Sequence, residues 1–361
     1  MSNQNTIRMI DAYKQTASPT LFMSGFFQTR PRNIHMSEFV EIDITRNDED
    51  IAIVISDLSL GPRFSEQSIY TNKRVTPPIF KEGVSLNGFD MINRMAGDNP
   101  FQDPDFRANL IMLMIDGMQE SDKRIKRTIE LQGSQILTTG TVDLIDSNGV
   151  TKYAINYLPK ATHFPNAAAA WSGASDKIAD ISALCDVVRD DGLEDPDLLL
   201  MGIGSFEEFV SDTAVQARFD NRRINMGDIG PMQLRGKGGK FRGTIDVDNY
   251  KLEVWTYNGK YLNPNTGVKT KYLPDDKVVV MCSDCRLDAT WGAVPHAGKA
   301  LGQGNLLPEL PPRFSMADMN MDMFTYVYLS EDGSQLNGVV AARPLLIPTA
   351  IDQFGCLDTL I

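Results

Sequence analysis

The stretch FRANLIMLMIDGMQESDKRIKRTIELQGSQ, residues 106–135, limits the possible folds of this chain more than any other. Asp103 is placed to accept hydrogen bonds as an N-cap, Pro104 suits the first helical position, and no further proline interrupts the run before Gly133 offers a stop. The spacing predicts one helix over 104–132, about 43 Å long at ~1.5 Å per residue, well beyond the usual length of a globular helix. A helix of that length must cross a whole domain. Phe106, Leu110, Leu113, Met114, Met118, Ser121, Ile125, Thr128, Ile129 and Gln132 form a continuous stripe, while Asp122, Lys123, Arg124, Lys126 and Arg127 cover the rest of its second half. Gly117 costs about 1 kcal/mol relative to alanine and reads as a tolerated glycine, with a bend in the helix as the alternative. The following segment, TGTVDLIDSNGVTKYAINYL, alternates around Asn148-Gly149, the signature of a hairpin. The helix is therefore expected to lie along a β-sheet.

With 361 residues, 42% of them hydrophobic, the chain is long enough for a sizeable core in two domains or one elaborated domain. A net charge of −12, from 35 basic and 47 acidic residues, disfavours an extended surface for gripping nucleic acid. The N-terminal MSNQNTIRMIDAYKQ lacks the layout of a secretory signal, and the longest wholly apolar run, 110–115, is too short to span a bilayer. A soluble cytoplasmic product is expected. Its cysteines, Cys185, Cys282, Cys285 and Cys356, are too few and scattered for a disulfide scaffold and should be reduced thiols.

Residues 1–33 read as a polar arm that needs something else to fold against. SEFVEIDITR (37–46) and DIAIVIS (50–56) read as a strand pair joined by NDED, followed by a weakly buried stretch to residue 80. That strand-rich but core-poor segment reads as a projecting flap stabilised by a neighbouring chain. Beyond the hairpin, residues 160–173 read as a loop and 175–189 as a helix. DLLLMGIG is a short buried strand, and SFEEFVSDTAVQARFDNRR reads as one helix opened by a capping box of Ser205 and Glu208. A glycine-rich loop, RGKGGKFRG, precedes strands at TIDVD, KLEVWTYNGKYL and DKVVVMC, with turn chemistry at Asn258-Gly259 and from Asn265 to Gly267. Residues 292–316 turn to glycine and proline, and FTYVYLSEDGSQLNGVVAARPLLIP closes the chain as a hairpin.

The chemical motifs are individually incomplete. CSDC, with Cys282 and Cys285, has metal or redox spacing but lacks a second ligand pair, so the bland alternative is two small thiols ending a strand. GIGS sits between strand and helix, yet Glu207 occupies the third glycine position of a dinucleotide fingerprint and would repel a pyrophosphate. GKGGK has Phe241 where a phosphate loop needs Ser or Thr and reads as a flexible basic loop. His35, His163 and His296 are far apart and read as surface or packing residues. PELPPR reads as an extended connector, and the pairs Asp190-Asp191 and Asp275-Asp276 as solvated turn charges. No catalytic, cofactor or metal site is expected. The alternative is a cytosolic α/β protein with a metal or redox site at Cys282 and Cys285.

The order of parts and five stretches carry a resemblance: DPDFR opening the long helix, TTGTV ending it, PDLLLMGIGSFEEFVSDTAVQARFDNRR, GKYLNPNTGVKTKYLPDDKVVV, and PLLIPTAIDQFGCLDTL at the C-terminus. Over residues 85–361, and before that by order and length, the chain resembles the major capsid protein of lambda-like tailed phages, the phage major capsid protein E family. The resemblance implies an α+β chain with the Hong Kong 97 phage-type capsid fold. Its parts would be an N-terminal arm (1–33), an extended β loop (34–88), a peripheral domain (89–165 and 325–361) with the spine helix 104–132, and an axial α/β domain (166–324). It further implies a non-enzymatic head protein of the virion, assembled in the host cytoplasm as hexamers and pentamers, first compact and then expanded. Double-stranded DNA would be packaged inside without sequence-specific binding, with no cofactor and no membrane. The expected partners are further copies of the chain, a scaffold, a portal and a decoration protein. Inter-subunit contacts are expected at Arg63, Phe64, Tyr70 and Lys73 in the flap and at Arg235, Lys237 and Lys240 in the axial loop. Some relatives cross-link through a lysine of the extended loop; Lys73 and Lys81 stand there, but no acidic partner is identifiable and no cross-link is expected.

Overall fold

The computed structural model describes residues 22–35, 39–45, 70–87, 90, 106–146, 148–173, 175–220, 238–294, 323–330 and 334–360. Its spine is α1 (Phe106–Thr139), 34 residues long and therefore about 51 Å. Asp103 and Pro104 lie outside the described residues. The helix does not stop at Gly133, because that residue is buried where a Cβ would stand 3.3 Å from the Phe27 ring and 3.5 Å from Leu346. Packing on both sides carries the helix through. It ends at Gly140, whose φ of 66° and N–H bond to the Ile136 carbonyl (2.8 Å) reverse the chain as a left-handed C-terminal cap does. The predicted stripe is buried at Met114, Met118, Ser121, Ile125, Ile129 and Gln132 and extends to Ile136 and Leu137. Asp122, assigned by spacing to the wet side, is instead buried and paired with Lys126 at 3.4 Å.

The chain reaches α1 through four strands. A 3-10 turn (Ser24–Phe26) leads into β1 (Gln28–His35), followed by β2 (Val40–Thr45), β3 (Tyr70–Val75) and β4 (Phe80–Asn87). Two expectations change here. Phe22, Met23, Phe26 and Phe27 of the arm are buried in the chain's own core, as the aromatic residues of TLFMSGFF require, so this part of the arm needs no other chain. The partner of β2 is β3, antiparallel from Val40↔Val75 to Thr45↔Tyr70, and lies in the stretch that the sequence predicts to be weakly buried. Residues 50–56 lie outside the described residues. Val40 and Val75 are buried and anchor the root of this ribbon.

After α1, β5 (Thr141–Ile145) and β6 (Thr151–Asn156) form the predicted hairpin. Its turn is held by the Asp146 carboxylate, which accepts the Asn148 and Val150 N–H groups at 2.8 and 3.0 Å, while Gly149 supplies a φ of 77°. Next come α2 (Lys177–Gly192), capped by Asp176 on the Ala179 N–H, β7 (Leu198–Met201), α3 (Ile203–Ser211), α4 (Thr213–Arg218) and β8 (Phe219–Asp220). The predicted single helix after β7 is thus two helices and a short strand. Asp212 breaks it by accepting the Ala214 N–H at 2.8 Å, the local competition that aspartate brings to a helix interior. Nor does Ser205 cap: Gly202 is the N-cap, and Ser205 is buried in the first turn of α3, donating to the Asp275 carbonyl at 2.7 Å. Gly202 and Gly204 let the Pro274-Asp275 backbone pass over the helix start.

Then follow β9 (Gly239–Val247), β10 (Tyr250–Tyr257), β11 (Lys260–Leu262), β12 (Lys269–Lys271), β13 (Lys277–Met281) and β14 (Leu287–Gly292). Gly239 to Gly243, expected in a flexible loop, open β9, because their backbone pairs with Val254 to Tyr257. The last strands are β15 (Phe324–Leu329), β16 (Gln335–Ala342), β17 (Pro344–Pro348) and β18 (Phe354–Asp358). The main sheet runs β18-β13-β7-β10-β9-β8, with β7 buried throughout and α2 packed across it through Ile178, Ile181, Leu184 and Val188. A second sheet, β15-β16-β4, lies along α1, and β1-β14-β17 forms a third.

The contact between α1 and its sheet depends on absent side chains. A Cβ on Gly117 would stand 2.7 to 2.9 Å from three Val84 carbons, and one on Gly338 of β16 would overlap the Met114 sulfur. Gly117 is therefore a requirement of close approach and not simply tolerated. Gly117→Ala should gain about 1 kcal/mol of helix propensity and lose about 1–3 kcal/mol to overpacking, leaving the protein less stable in denaturant titration. Adding Val84→Ala should recover part of the loss.

Candidate assembly surfaces

Glu130 joins the arm to the spine. It is fully buried on α1, one turn before Gly133, and its carboxylate accepts the Met23 N–H at 2.6 Å, the Ser24 N–H at 2.7 Å and the Tyr257 hydroxyl at 2.7 Å. Phe22 stacks 5.2 Å from the Tyr257 ring, so apolar and polar contacts hold the same turn. Burial, with Glu130 beside it, pushes the Tyr257 phenol far above its ordinary range. The periodic stripe missed Glu130 because an acidic residue in that position reads as solvated.

Arg343 performs a similar joining role at the connection between β3 and β4. It is buried between β16 and β17, and its guanidinium donates to the Ala293 carbonyl at 2.8 Å and the Pro77 carbonyl at 3.4 Å. On the ribbon, Arg74 pairs with Glu41 at 3.0 Å and its guanidinium carbon lies 5.2 Å over the exposed Phe39 ring. Lys81 on β4 lies 5.8 Å from the Tyr326 ring centre, and a hydrogen bond with that hydroxyl raises its pKa.

The expected contact residues are distributed unevenly. Tyr70 and Lys73 both lie on β3, opposite Thr45 and Ile42, while Lys240 is exposed on β9 in the main sheet. Arg63, Phe64, Arg235 and Lys237 lie outside the described residues, as do His296 and PELPPR.

The chemical candidates are integrated into packing. Cys282 follows β13, with its Sγ 3.5 Å from the Glu194 carbonyl oxygen, and Cys285 lies 3.9 Å from that of Ala350. Burial raises the Cys282 thiol to about 12 and Cys285 well above its ordinary value. Neither has the electropositive, accessible setting of a reactive thiolate, and among the described residues no cluster of three His, Cys, Asp or Glu is placed to hold a metal. His163 is buried, hydrogen-bonded to the Phe354 carbonyl oxygen at 2.9 Å and to Asp191 at 3.0 Å. Asp191, expected to be a solvated turn charge, is therefore a structural partner, also bonded to Lys160 at 2.7 Å. No helix among the described residues is long and apolar enough to cross a membrane.

A long helix laid along a sheet, a neighbouring α/β sheet, a buried N-terminal turn and a two-stranded ribbon make up the Hong Kong 97 phage-type capsid fold. The model of the family Phage major capsid protein E matches residues 7–354, and the chain belongs to that family. It is a capsid shell protein of the virion, structural and not enzymatic. The fold is shared with a crystal structure ascribed to the capsid of a prophage of E. coli CFT073, at a TM-score of 0.68 and 17% identity over 98% of both chains. The capsid of Ralstonia phage GP4 matches at a TM-score of 0.50 and 11% identity, over 95% of this chain and 87% of that one. No curated protein matches the chain.

Glu130→Ala should leave three donors unpaired and cost about 3 kcal/mol or more. The loss should appear as faster hydrogen exchange at Met23 and Ser24 and faster proteolysis of the arm. Burial also raises Cys185 and Cys356 to about 12, so a thiol reagent at pH 8 should label none of the four cysteines in the native protein and all four after unfolding. Since the folded state holds these protons more tightly, stability should fall as pH rises beyond the ordinary thiol value of 9.0, measurable by denaturation at several alkaline pH values.

Proposed function

We propose that copies of this chain form hexamers and pentamers that close into an icosahedral head shell around double-stranded DNA. The observation that carries this reading is the β2–β3 ribbon. Among the described residues it is a two-stranded pair by itself, buried at its root by Val40 and Val75, and such a pair is marginal in water without a covering surface. A neighbouring copy supplies that cover, with Arg63, Phe64, Tyr70 and Lys73 at the contact. Arg235, Lys237 and Lys240 meet around the ring axis. The peripheral part (89–165 and 325–361) and the axial part (166–324) act as two bodies of the tile, with β18 crossing to pair with β13. Assembly takes place in the host cytoplasm with a scaffold and a portal, and a decoration protein completes the outer surface. The net charge of −12 favours packaged DNA that is enclosed and not gripped.

Because Thr45 lies directly opposite Tyr70, a short turn can replace residues 46–69 and leave the ribbon root in place. That variant should fold, judged by circular dichroism and thermal unfolding, yet form no shells in sedimentation and negative-stain microscopy, whereas the unmodified chain assembles. Normal shells from the shortened chain would overturn the role given to the flap.

A further inference from the structure

The β11–β12 hairpin presents a face that the packing of the described residues does not explain. Its register pairs Lys260 with Lys271, Tyr261 with Thr270 and Leu262 with Lys269. Alternation therefore places three lysines and Leu262 on one side. The other side is anchored to the spine: the Tyr261 ring packs 5.1 Å from Tyr272, whose hydroxyl donates to the Arg127 carbonyl at 3.3 Å. On the free side Lys260 and Lys269 are exposed, and Lys271 is paired with Asp275 at 2.5 Å. Leu262 and the nearby Val268 are 63% and 61% exposed, the highest values among the large apolar side chains described. Like charges directly opposite one another destabilise a ribbon. An acidic, partly apolar partner would turn that arrangement into an attraction.

The same chain carries such a surface. A groove of about 430 Å³ lies between the end of α2, the turn after β13 and the segment before β18. Glu194, Asp284 and Asp352, together with Asp191, which Lys160 already pairs, line it with a single guanidinium, Arg286, and Leu193 and Ile351 add apolar wall. The topology keeps hairpin and groove apart. Strand β10 runs parallel to β7, with Thr256 beside Met201, and delivers the hairpin to the Met201 end of the main sheet. Strand β13 runs the other way, with Met281 beside Leu198, and delivers Asp284 to the opposite end, where Glu194 precedes β7 and Phe354 opens β18. The two surfaces are separated by the length of the central strands, roughly 13 Å or more at ~3.3 Å per residue.

We infer that the β11–β12 hairpin of one copy docks into the acidic groove of the next, a head-to-tail contact between subunits of the ring. This rests on the ring-forming reading above and names one of its interfaces. Complementary surfaces at opposite ends of one sheet cannot meet within a chain, but between copies they form a heterologous contact that closes when the rotation per subunit divides a full turn. Charge complementarity sets the register, and Leu262 and Val268 cover the apolar wall.

Two charge-reversed proteins test this. One carries Lys260→Glu and Lys269→Glu, the other Glu194→Lys and Asp284→Lys. Each alone should need a protein concentration at least about tenfold higher than the unmodified chain to form rings, because like charges now face each other. Mixed in equal amounts they should form rings again, since each hairpin now meets an opposite groove in the other protein. Alternation closes only with an even number of subunits, so microscopy should show six-membered and not five-membered rings from the mixture. The milder pair Lys269→Glu and Asp284→Lys, both at exposed positions, gives the same readout if the double changes disturb folding. Rings from every variant at the unmodified concentration, or folded variants whose mixture never recovers, would overturn the contact while leaving the ring reading intact. Failure of the unmodified chain to assemble would overturn both.

Discussion

Everything else in this subunit is arranged around the need to cover α1. A helix of about 51 Å presents more apolar surface than one small sheet can bury. The chain meets this by placing different elements against successive turns: β4 and β16 near the start, then the arm turn, then β5, β17 and β18 towards the end. Gly117 and Gly338 set the depth of the first contact and Gly133 that of the second. With helix and sheets this close, dispersion and burial act along the whole length. The spine is consequently rigid enough to serve as a common wall for parts of the chain far apart in sequence.

The joints between these parts are polar and buried. Glu130 holds the arm by two backbone N–H groups and links it to β10 through Tyr257. Arg343 ties the β3–β4 connection at Pro77 to Ala293, just past the end of β14. Each joint satisfies backbone groups that irregular segments cannot pair within themselves. Breaking such a contact is costly because the partners stay buried, so the joints confer specificity of arrangement more than bulk stability.

Much of this was legible in the residues. The long helix, the Asn148-Gly149 hairpin, the buried strand at Leu198–Met201 and the strands after it follow from periodicity and turn chemistry, which are local signals. The errors share one physical origin, that tertiary contacts override local preference. Gly133 reads as a stop until Phe27 and Leu346 are packed on both sides of it, and Ser205 reads as a cap until the Asp275 backbone takes its hydroxyl. The pairing of β2 with β3 bridges residues 46–69, a separation that no turn signal encodes. Asp122 and Glu130 were invisible because periodicity treats every carboxylate as solvated, whereas a buried carboxylate with donors around it is as much a part of the core as its apolar neighbours.

The parallel pairing of β1 with β14 has a consequence for how the molecule is made. Gln28 lies opposite Asp288, so the strand that pairs with β1 among the described residues does not exist until about 260 further residues have left the ribosome. At about 5–20 residues per second the delay is on the order of tens of seconds, long compared with the formation of a helix or hairpin. During that time the helix, the Asn148-Gly149 hairpin and the first strands of the main sheet can form, and the turn around Met23 can dock on Glu130 and Tyr257, while β1 waits for its ladder. The first strand is thus synthesised early and paired late, and completion of β14 acts as a natural clock for when a subunit has its final outline.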